Sequence, residues 1–491
     1  MNVAELLDRP ASEYPDKPAL VTSTGDTVTF AELGERAGSI AAGVAEAGIR
    51  PGDRVGIAMP NVPAFVYSYF GILRAGGVVI PLNLTLTAPE VRRVLDDSGA
   101  SLVIGVSPAG DAARTAAEEA GIRYVAASDW PASQRTAAPA THQAADDDLA
   151  VLAYTSGTTG DPKGVMLTHG NLLANVEQQM SIPDARVESS DVLLLALPLF
   201  HIFGLNVTLS LLSRTGATGI LTDRFEPVEC LRLIQDHRIT VMFGAPTMYT
   251  ALVATPGADQ YDLSSVRLAI SGAAPLQPEI LHRFKELFGG DVYEGYGLTE
   301  TSPTLTSNRM AEAPRPGSIG KPLPGVEIRL VDEAGEDVEL GDPGEILARG
   351  PNVFKGYWNK DDETERAFVG EWFRTGDVAV QDEDGYLYII DRKRDMVIVS
   401  GFNVFPSEVE QALSENPKVA EAAVVGVPHA YTGEAVKAFV VLEPGALATP
   451  DEILADVQTR LARFKCPREV EIVDALPHLL TGKVLRRALR T

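Results

Sequence analysis

The sequence predicts an α/β protein: a large N-terminal domain of parallel-sheet α/β subdomains with a small β-rich subdomain, followed by a small α+β domain at the C-terminal side. Three observations predict it. Up to residue 105 short apolar runs alternate with helical patterns; residues 317–377 turn Gly- and Pro-rich with short alternating strands; from residue 386 strands and helices mix in one compact stretch.

In chain order, residues 54–59 and 77–81 read as strands buried on both faces, and 30–47 and 88–97 as amphipathic helices. Residues 130–148, rich in Pro, Ala, Thr, Gln and Asp, read as a surface connector that leads into an apolar strand at 149–153. The span between Asp191 and Arg214 carries no charge and is long enough on paper to cross a bilayer. Pro198, His201, Gly204 and Asn206 in its middle argue instead for a buried segment that lines a site. Residues 326–331 and 345–348 read as strands of the β-rich part; 407–414, 450–464 and a basic segment after Gly482 read as helices.

The chain has 491 residues with ordinary globular usage, 45% hydrophobic and 22% charged, which excludes disorder for most of it and a minimal binding module. Its 42 Lys and Arg against 67 Asp and Glu give a net charge of −25, so nucleic acid is excluded as a partner by repulsion from the phosphate backbone. Two distant cysteines, Cys230 and Cys466, build neither a disulfide framework nor a Cys-based zinc site and fit a reducing cytoplasm. Glu5, Asp8 and Arg9 interrupt the run that a secretory leader would need.

The densest chemistry follows the strand at 149–153. Tyr154-Thr155-Ser156-Gly157-Thr158-Thr159-Gly160-Asp161-Pro162-Lys163-Gly164 combines three glycines and four hydroxyls around a lysine, so backbone N–H and O–H donors converge where phosphate oxygens can be wrapped. It is not a Walker A loop, because Lys163 stands between Pro162 and Gly164 rather than in Gly-Lys-Ser/Thr. Further runs follow: Tyr296-Gly-Leu-Thr299-Glu300, Arg374-Thr-Gly-Asp377, Asp391-Arg392-Lys393-Arg394-Asp395 and Leu480-Thr-Gly-Lys483.

These five runs, in this order, resemble the superfamily that contains acyl-CoA synthetases, adenylation domains and firefly luciferases, and the resemblance covers nearly the whole chain. It implies attack of a carboxylate on the α-phosphate of ATP, giving an acyl-adenylate and pyrophosphate, and then displacement of AMP by coenzyme A. For a reaction that joins two anions the residue types make sense. Tyr296 can stack on a flat base, Thr299 can meet the α-phosphate, and Glu300 can hold the Mg²⁺ that neutralises the polyphosphate. Asp377, behind a Gly turn, can accept both ribose hydroxyl protons, with Arg392 beside ribose and phosphate. Taken alone, Tyr296 would read as a core tyrosine, Glu300 as a solvated acid and Asp377 as a turn cap. Asp391 departs from one common form of the pattern, in which Gly precedes the arginine.

The resemblance also divides the chain at 393/394, with an adenylate-forming domain over 1–393 and a mobile domain over 394–491 that turns at Arg394 between the two half-reactions. Lys483 is implied as the catalytic lysine that bridges carboxylate and α-phosphate oxygens, stabilising charge that grows in the transition state. Gly401 is implied to line the pantetheine tunnel of coenzyme A, where a Cβ would obstruct it. Thr155, Ser156, Gly157, Thr158, Thr159 and Lys163 are implied for the phosphates, and Gly272, Ala273 and Ala274 for the nucleotide. On the acyl side His201, Phe203, Phe243, Gly244, Tyr249, Ser271 and Gly272 are implied to line the carboxylate tunnel.

The segments 199–205, 242–249 and 271–274 hold Phe200, Phe203, Phe243 and Met248 with Gly204, Gly244 and Gly272, and no Lys or Arg; Gly295 adds no cation. A dicarboxylate would bury a second charge there without a partner, at a cost of several kcal/mol. The glycines are expected to leave depth for a chain, so the expected substrate is a medium- to long-chain fatty acid, with an aryl or arylpropenoic acid as runner-up. A separate carrier protein in place of coenzyme A, luciferase-like oxidation, and a nucleotide-binding sensor without catalysis are the rival readings. Monomer and homodimer remain open.

Overall fold

The computed structural model describes residues 1–129, 140–156, 162–182, 186–310, 314–392, 395–399, 402–429, 433–478 and 484–489. The expected calls at Gly157, Thr158, Thr159, Arg394, Gly401 and Lys483 lie outside the described residues. Two compact units divide the chain: Met1–Glu327 with Ala348–Phe373, and Ile328–Leu347 with Arg374–Thr491.

The first unit is built on strands β1 (Pro18–Thr22), β2 (Thr27–Thr29), β3 (Arg54–Ala58), β4 (Val78–Pro81), β5 (Leu102–Gly105), β6 (Arg123–Ala126), β7 (Leu149–Ser156), β8 (Pro162–Thr168), β9 (Val192–Leu195), β10 (Thr218–Leu221), β11 (Val241–Gly244), β12 (Leu268–Ser271), β13 (Val292–Gly297), β14 (Thr304–Ser307) and β15 (Lys321–Pro322). One sheet runs β6-β5-β3-β4-β7-β8, the other β15-β14-β13-β12-β11-β9-β10-β1-β2. In the second sheet β1, β10, β9, β11, β12 and β13 are mutually parallel. Every residue of β4, β11 and β12 is buried, as expected for strands covered by helices on both faces.

Local chemistry sets the helix starts. Thr29 and Glu32 form a reciprocal capping box at the head of Phe30–Glu46; at the head of Ala88–Ser98, which ends on left-handed Gly99, the Thr87 N–H and hydroxyl both donate to Glu90 Oε2 at 2.8 Å. The charge-free span after Asp191 becomes β9 and a fully buried π-helix, Phe203–Ser210. No helix among the described residues is long and apolar enough to cross a membrane.

The second unit carries most of a five-stranded sheet made of Glu327–Val331, Gly344–Arg349, Phe368–Val369, Trp372–Gln381 and Leu387–Arg392. Its other sheet comes from Val397–Val399, Phe402–Val404, Val419–His429, Gly433–Leu442 and Glu469–Ile472. Helices Pro406–Ser414 and Pro450–Val457 close a core around Val424, Val436, Ala438 and Ile453.

Three expectations for this region are corrected. The helix expected over 450–464 stops at Val457, where the ladder tightens to i→i−3 turns, the Thr459 N–H donating to Asp456 O at 3.0 Å and the Arg460 N–H to Val457 O at 3.1 Å. After Gly482 the described residues form only a short 3-10 turn, Arg486–Leu489: Val484 bridges His478, and the Leu485 N–H donates to the Pro477 carbonyl at 2.7 Å. The β-rich stretch expected over 317–377 is interrupted, because 348–373 belongs to the first unit and carries the helix Asp361–Ala367.

Candidate active site

The phosphate-loop hairpin stands on β7 and β8, paired antiparallel with Thr155 opposite Lys163 and Ser156 opposite Pro162. Because β8 is the last strand of its sheet, its outer edge needs a partner. Residues 355–358 supply one: the Lys355 N–H donates to Met166 O at 3.0 Å, Met166 to Gly356 O at 3.0 Å, and Trp358 to Gly164 O at 2.8 Å. Gly164 is needed for this approach, since a Cβ would stand 3.0 to 3.1 Å from Leu152, Trp358 and Tyr154.

This strap ties Lys163 to Glu300. The Lys163 ammonium pairs with Glu363 and lies 5.3 Å from the centre of the Tyr357 ring. The Tyr357 hydroxyl donates to Glu300 Oε1 at 2.9 Å, and the Phe354 N–H donates to the Glu300 carbonyl at 2.8 Å. Burial and the neighbouring Glu300 carboxylate raise the Tyr357 phenol well above its ordinary value, so it stays a proton donor; the Lys163 contact holds Glu363 below the usual carboxylate range.

Three buried asparagines bolt the turn that carries Thr299 and Glu300. Asn352 donates to Thr301 O at 2.8 Å and Thr304 O at 3.1 Å, Asn175 to Thr304 O at 2.8 Å, and Asn206 to Ser302 O at 2.7 Å and Leu172 O at 3.1 Å. Asn206 sits in the π-helix, so one side chain links the segment after His201 to the turn after Glu300. Irregular helical turns recur at functional sites because they aim side chains that a regular helix cannot.

On the acyl side, β9 ends before Pro198 and the chain turns so that the His201 N–H donates to Pro198 O at 3.0 Å. His201 Nδ1 accepts the Phe203 N–H at 3.2 Å, and burial lowers the ring's pKa, so His201 is neutral with its hydrogen on Nε2. Phe203 meets Phe243 edge to face, ring centres 6.4 Å apart, and a Cβ on Gly272 would stand 3.2 Å from the Phe203 ring. These residues gather at the carboxyl ends of β9, β11 and β12, where an open α/β sheet presents its crevice.

Strand alternation divides the expected acyl residues. Phe203, Phe243 and Gly272 share one face of the sheet. Gly244 turns to the other face, against the Tyr249 ring at 3.0 Å, and Ser271 is its register partner on β12. Tyr249 is 1% exposed, donates to Ile270 O at 2.8 Å and packs edge-on against Phe284, which makes it a core tyrosine. The expected depth at Gly204 is corrected as well: a Cβ there would come within 2.2 Å of the Pro198 carbonyl oxygen, so the missing side chain lets two backbones touch rather than leaving room for a chain.

The nucleotide-side residues occupy the ends of β12 and β13. Ala273 takes a left-handed φ of 76°, which turns the loop after Gly272 outward, and Tyr296 is half-buried opposite Thr306 on β14. Beneath them lies a residue that no sequence motif singled out. Glu294, 6% exposed, accepts the Leu276 N–H and the Gly317 N–H, each at 3.1 Å. Burial raises its pKa.

In the second unit Asp377 is buried and stands in register with Arg392 on the neighbouring strand. Asp391, which departs from the family pattern, has a structural use here. Its Oδ2 accepts the Ser407 N–H at 2.9 Å at the head of Pro406–Ser414, and its Oδ1 lies 3.6 Å from Arg486. Arg486 also reaches Glu410 at 2.6 Å and Asp395 at 3.4 Å.

The described residues hold no cluster of three or more His, Cys, Asp or Glu able to cage a metal. A single half-buried carboxylate at Glu300, beside the base of a phosphate loop, suits Mg²⁺, which keeps its waters and binds through one or two carboxylates plus substrate phosphates.

Residues 7–358 match the family described as AMP-binding enzyme, and residues 408–483 match the AMP-binding enzyme C-terminal domain. A long-chain-fatty-acid–CoA ligase of Bacillus subtilis (strain 168) is 37% identical over 99% of this chain and 93% of its own length. A feruloyl-CoA synthase of Amycolatopsis sp is 40% identical over 95% of this chain and 94% of its own. The crystal structure of ATP-bound MatB from Rhodopseudomonas palustris superposes with a TM-score of 0.92 at 37% identity, covering 100% of this chain and 98% of that one.

Proposed function

The chain belongs to the AMP-binding enzyme family and is an AMP-forming acyl-CoA ligase, and we propose that the acid it activates is a medium- to long-chain fatty acid. The carrying observation is the uncharged face formed by Phe203, Phe243 and Gly272 beside a neutral histidine. An apolar tail gains about 0.8 kcal/mol for each methylene buried there, whereas a second carboxylate would meet no cation among those residues. The long-chain-fatty-acid–CoA ligases among the relatives support this reading. An arylpropenoic acid is the second reading, because the edge-to-face phenylalanine pair also suits a flat ring and a feruloyl-CoA synthase is among the relatives.

In the first half-reaction a carboxylate oxygen attacks the α-phosphorus of ATP and pyrophosphate leaves; in the second the coenzyme A sulfur attacks the acyl carbon and AMP leaves. Thr155, Ser156, Gly157, Thr158, Thr159 and Lys163 cradle the phosphates, with Thr299 at the α-phosphate. Glu300 holds Mg²⁺, which screens the polyphosphate charge when bound. The Asp377 carboxylate and Arg392 take the ribose, Lys483 stabilises the charge that grows in adenylation, and Gly401 leaves room for pantetheine. Arg394, at the boundary between 1–393 and 394–491, is the joint between the two half-reactions. Coenzyme A rather than a carrier protein is the acceptor, and the cytoplasm is the compartment.

An ATP–pyrophosphate exchange panel over short, medium and long fatty acids, aryl acids and dicarboxylates tests this. Activity that climbs from acetate through octanoate supports the fatty-acid reading. Preference for a cinnamate-type acid selects the second, and preference for malonate or succinate over every monocarboxylate overturns both.

A further inference from the structure

We propose that Glu294 is a positioning residue for the nucleotide: its buried carboxylate fastens the loop after β12 and the turn at Gly317, the two segments tied to the strand that carries Tyr296. The proposal rests on the reading that Gly272, Ala273, Ala274 and Tyr296 face ATP.

Glu294 precedes Tyr296 by two residues on β13, so the two side chains leave the strand on the same side. Its Oε1 accepts the Leu276 N–H and its Oε2 the Gly317 N–H, each at 3.1 Å. The loop it holds is the one in which Ala273 adopts φ 76°, a conformation that an L-residue adopts only when its surroundings hold it. Gly317, at φ 77°, begins the return toward β15. Both anchored groups are backbone donors, and they lie on opposite sides of Glu294 in sequence, 18 positions before it and 23 after it. Only a side chain with two acceptor oxygens at this height on β13 meets both.

The carboxylate is an expensive way to do this. Burial outweighs the two hydrogen bonds and raises its pKa, so the group is retained against its own desolvation. A hydroxyl offers one oxygen, and an amide would turn an N–H toward one of the two backbone donors. A charged acceptor with two equivalent oxygens satisfies both donors in a single rotamer and leaves the loop one position.

The test compares Glu294→Gln and Glu294→Asp with the wild-type chain. AMP affinity is measured by calorimetry, and KM for ATP, KM for the acid and kcat by acid-dependent pyrophosphate exchange, with circular dichroism as the check on folding. Glu294→Gln keeps one acceptor and opposes the other donor, so AMP affinity should fall and KM for ATP rise by about tenfold, each the equivalent of one lost charged hydrogen bond, while KM for the acid moves less than about twofold. Glu294→Asp, one methylene short but still charged, should recover part of the nucleotide affinity. If Glu294→Gln does not fold, Glu294→Asp alone decides, and wild-type AMP affinity in it overturns the proposal. Unchanged AMP affinity in folded Glu294→Gln, or an equal rise in KM for the acid, also overturns it. A wild-type chain that binds AMP but shows no acid-dependent exchange sinks the ligase reading and leaves the calorimetric comparison to decide Glu294; one that binds no nucleotide overturns both.

Discussion

Tyr357 and Glu300, 57 positions apart, are joined by a 2.9 Å hydrogen bond from the phenol to Oε1, on a strap whose backbone also holds the Glu300 carbonyl through Phe354. Removing the hydroxyl while keeping the ring separates its effect on the carboxylate from its contact with Lys163. A hydrogen bond to a charged acceptor is worth about 1.5–3 kcal/mol, so Tyr357→Phe should lower pyrophosphate exchange by about ten- to a hundredfold. The thermal midpoint should move by only a few degrees. A loss of exchange matched by a collapse in the midpoint would make the bond structural.

If Lys163 binds phosphate as proposed, Glu363 competes with it for the ammonium. The two side chains form an ion pair, and neutralising the carboxylate frees the ammonium for an incoming anion. Glu363→Gln should therefore lower KM for ATP by roughly two- to fivefold, within the range of partly exposed charge pairs, whereas Lys163→Ala should raise it. The sign is the check: a higher KM in Glu363→Gln means that the carboxylate orients the lysine rather than occupying it.

Acid should weaken the first unit through His169. It is 2% exposed, its Nδ1 accepts the Val3 N–H at 3.0 Å, and burial lowers its pKa from 6.5 to about 4. Between those values the unfolded chain takes up a proton that the folded chain refuses. Stability from this group is complete above pH 6.5 and declines as the pH falls toward 4, by up to about 3 kcal/mol. Urea titrations at pH 7.5 and 5 should show a smaller loss in His169→Asn, whose amide oxygen can replace Nδ1. Equal losses in both proteins would assign the slope to other groups, the depressed His201 first among them.

The Arg486 cluster predicts a stability effect confined to the second unit. Arg486→Met leaves the largely buried Glu410 carboxylate without its guanidinium, and breaking a buried pair from one side costs about 3–5 kcal/mol. Hydrogen exchange should accelerate across Pro406–Ser414 and Val419–His429. Adding Glu410→Gln should restore part of the protection. No recovery would mean that the arginine acts through packing.

Much of the fold was legible because the first unit obeys local rules. Thr29-x-x-Glu32 and Thr87-x-x-Glu90 announce helix starts, and all-apolar runs such as 78–81 announce strands covered on both faces. The candidate residues that form runs in sequence, Lys163 and the Tyr296–Glu300 segment above all, stand out in the sequence as well. Tyr357, Glu363 and Glu294 do not, because each acts across chain separations that no spacing encodes: Tyr357 reaches Glu300, Glu363 reaches Lys163, and Glu294 reaches Leu276 and Gly317. Gly204 and Gly244 misled for a related reason. Sequence shows that a side chain is missing but not what fills the space, here the Pro198 carbonyl and the Tyr249 ring. The helix expected through 464 ends early in turns closed by Thr459 N–H to Asp456 O and Arg460 N–H to Val457 O, which the apolar spacing does not encode.

The two faces of the sheet at β11 and β12 set different fates for neighbouring positions. Mutations at Gly204, Gly244 or Tyr249 are felt first as lost folded protein, since each added or removed atom meets backbone or a packed ring. Phe243, 1% exposed, belongs with them, whereas an added Cβ at Gly272 meets only the edge of the Phe203 ring, so changes at Phe203 or Gly272 should be felt first as altered choice of acid. A randomised library confined to Phe203 and Gly272 should therefore stay mostly expressed while its substrate profile spreads; the same diversity placed at Phe243 or Gly244 should yield mostly inclusion bodies. Adjacent codons thus evolve under unlike pressures, one set answering to the cell's quality control and the other to whatever acids the cell encounters.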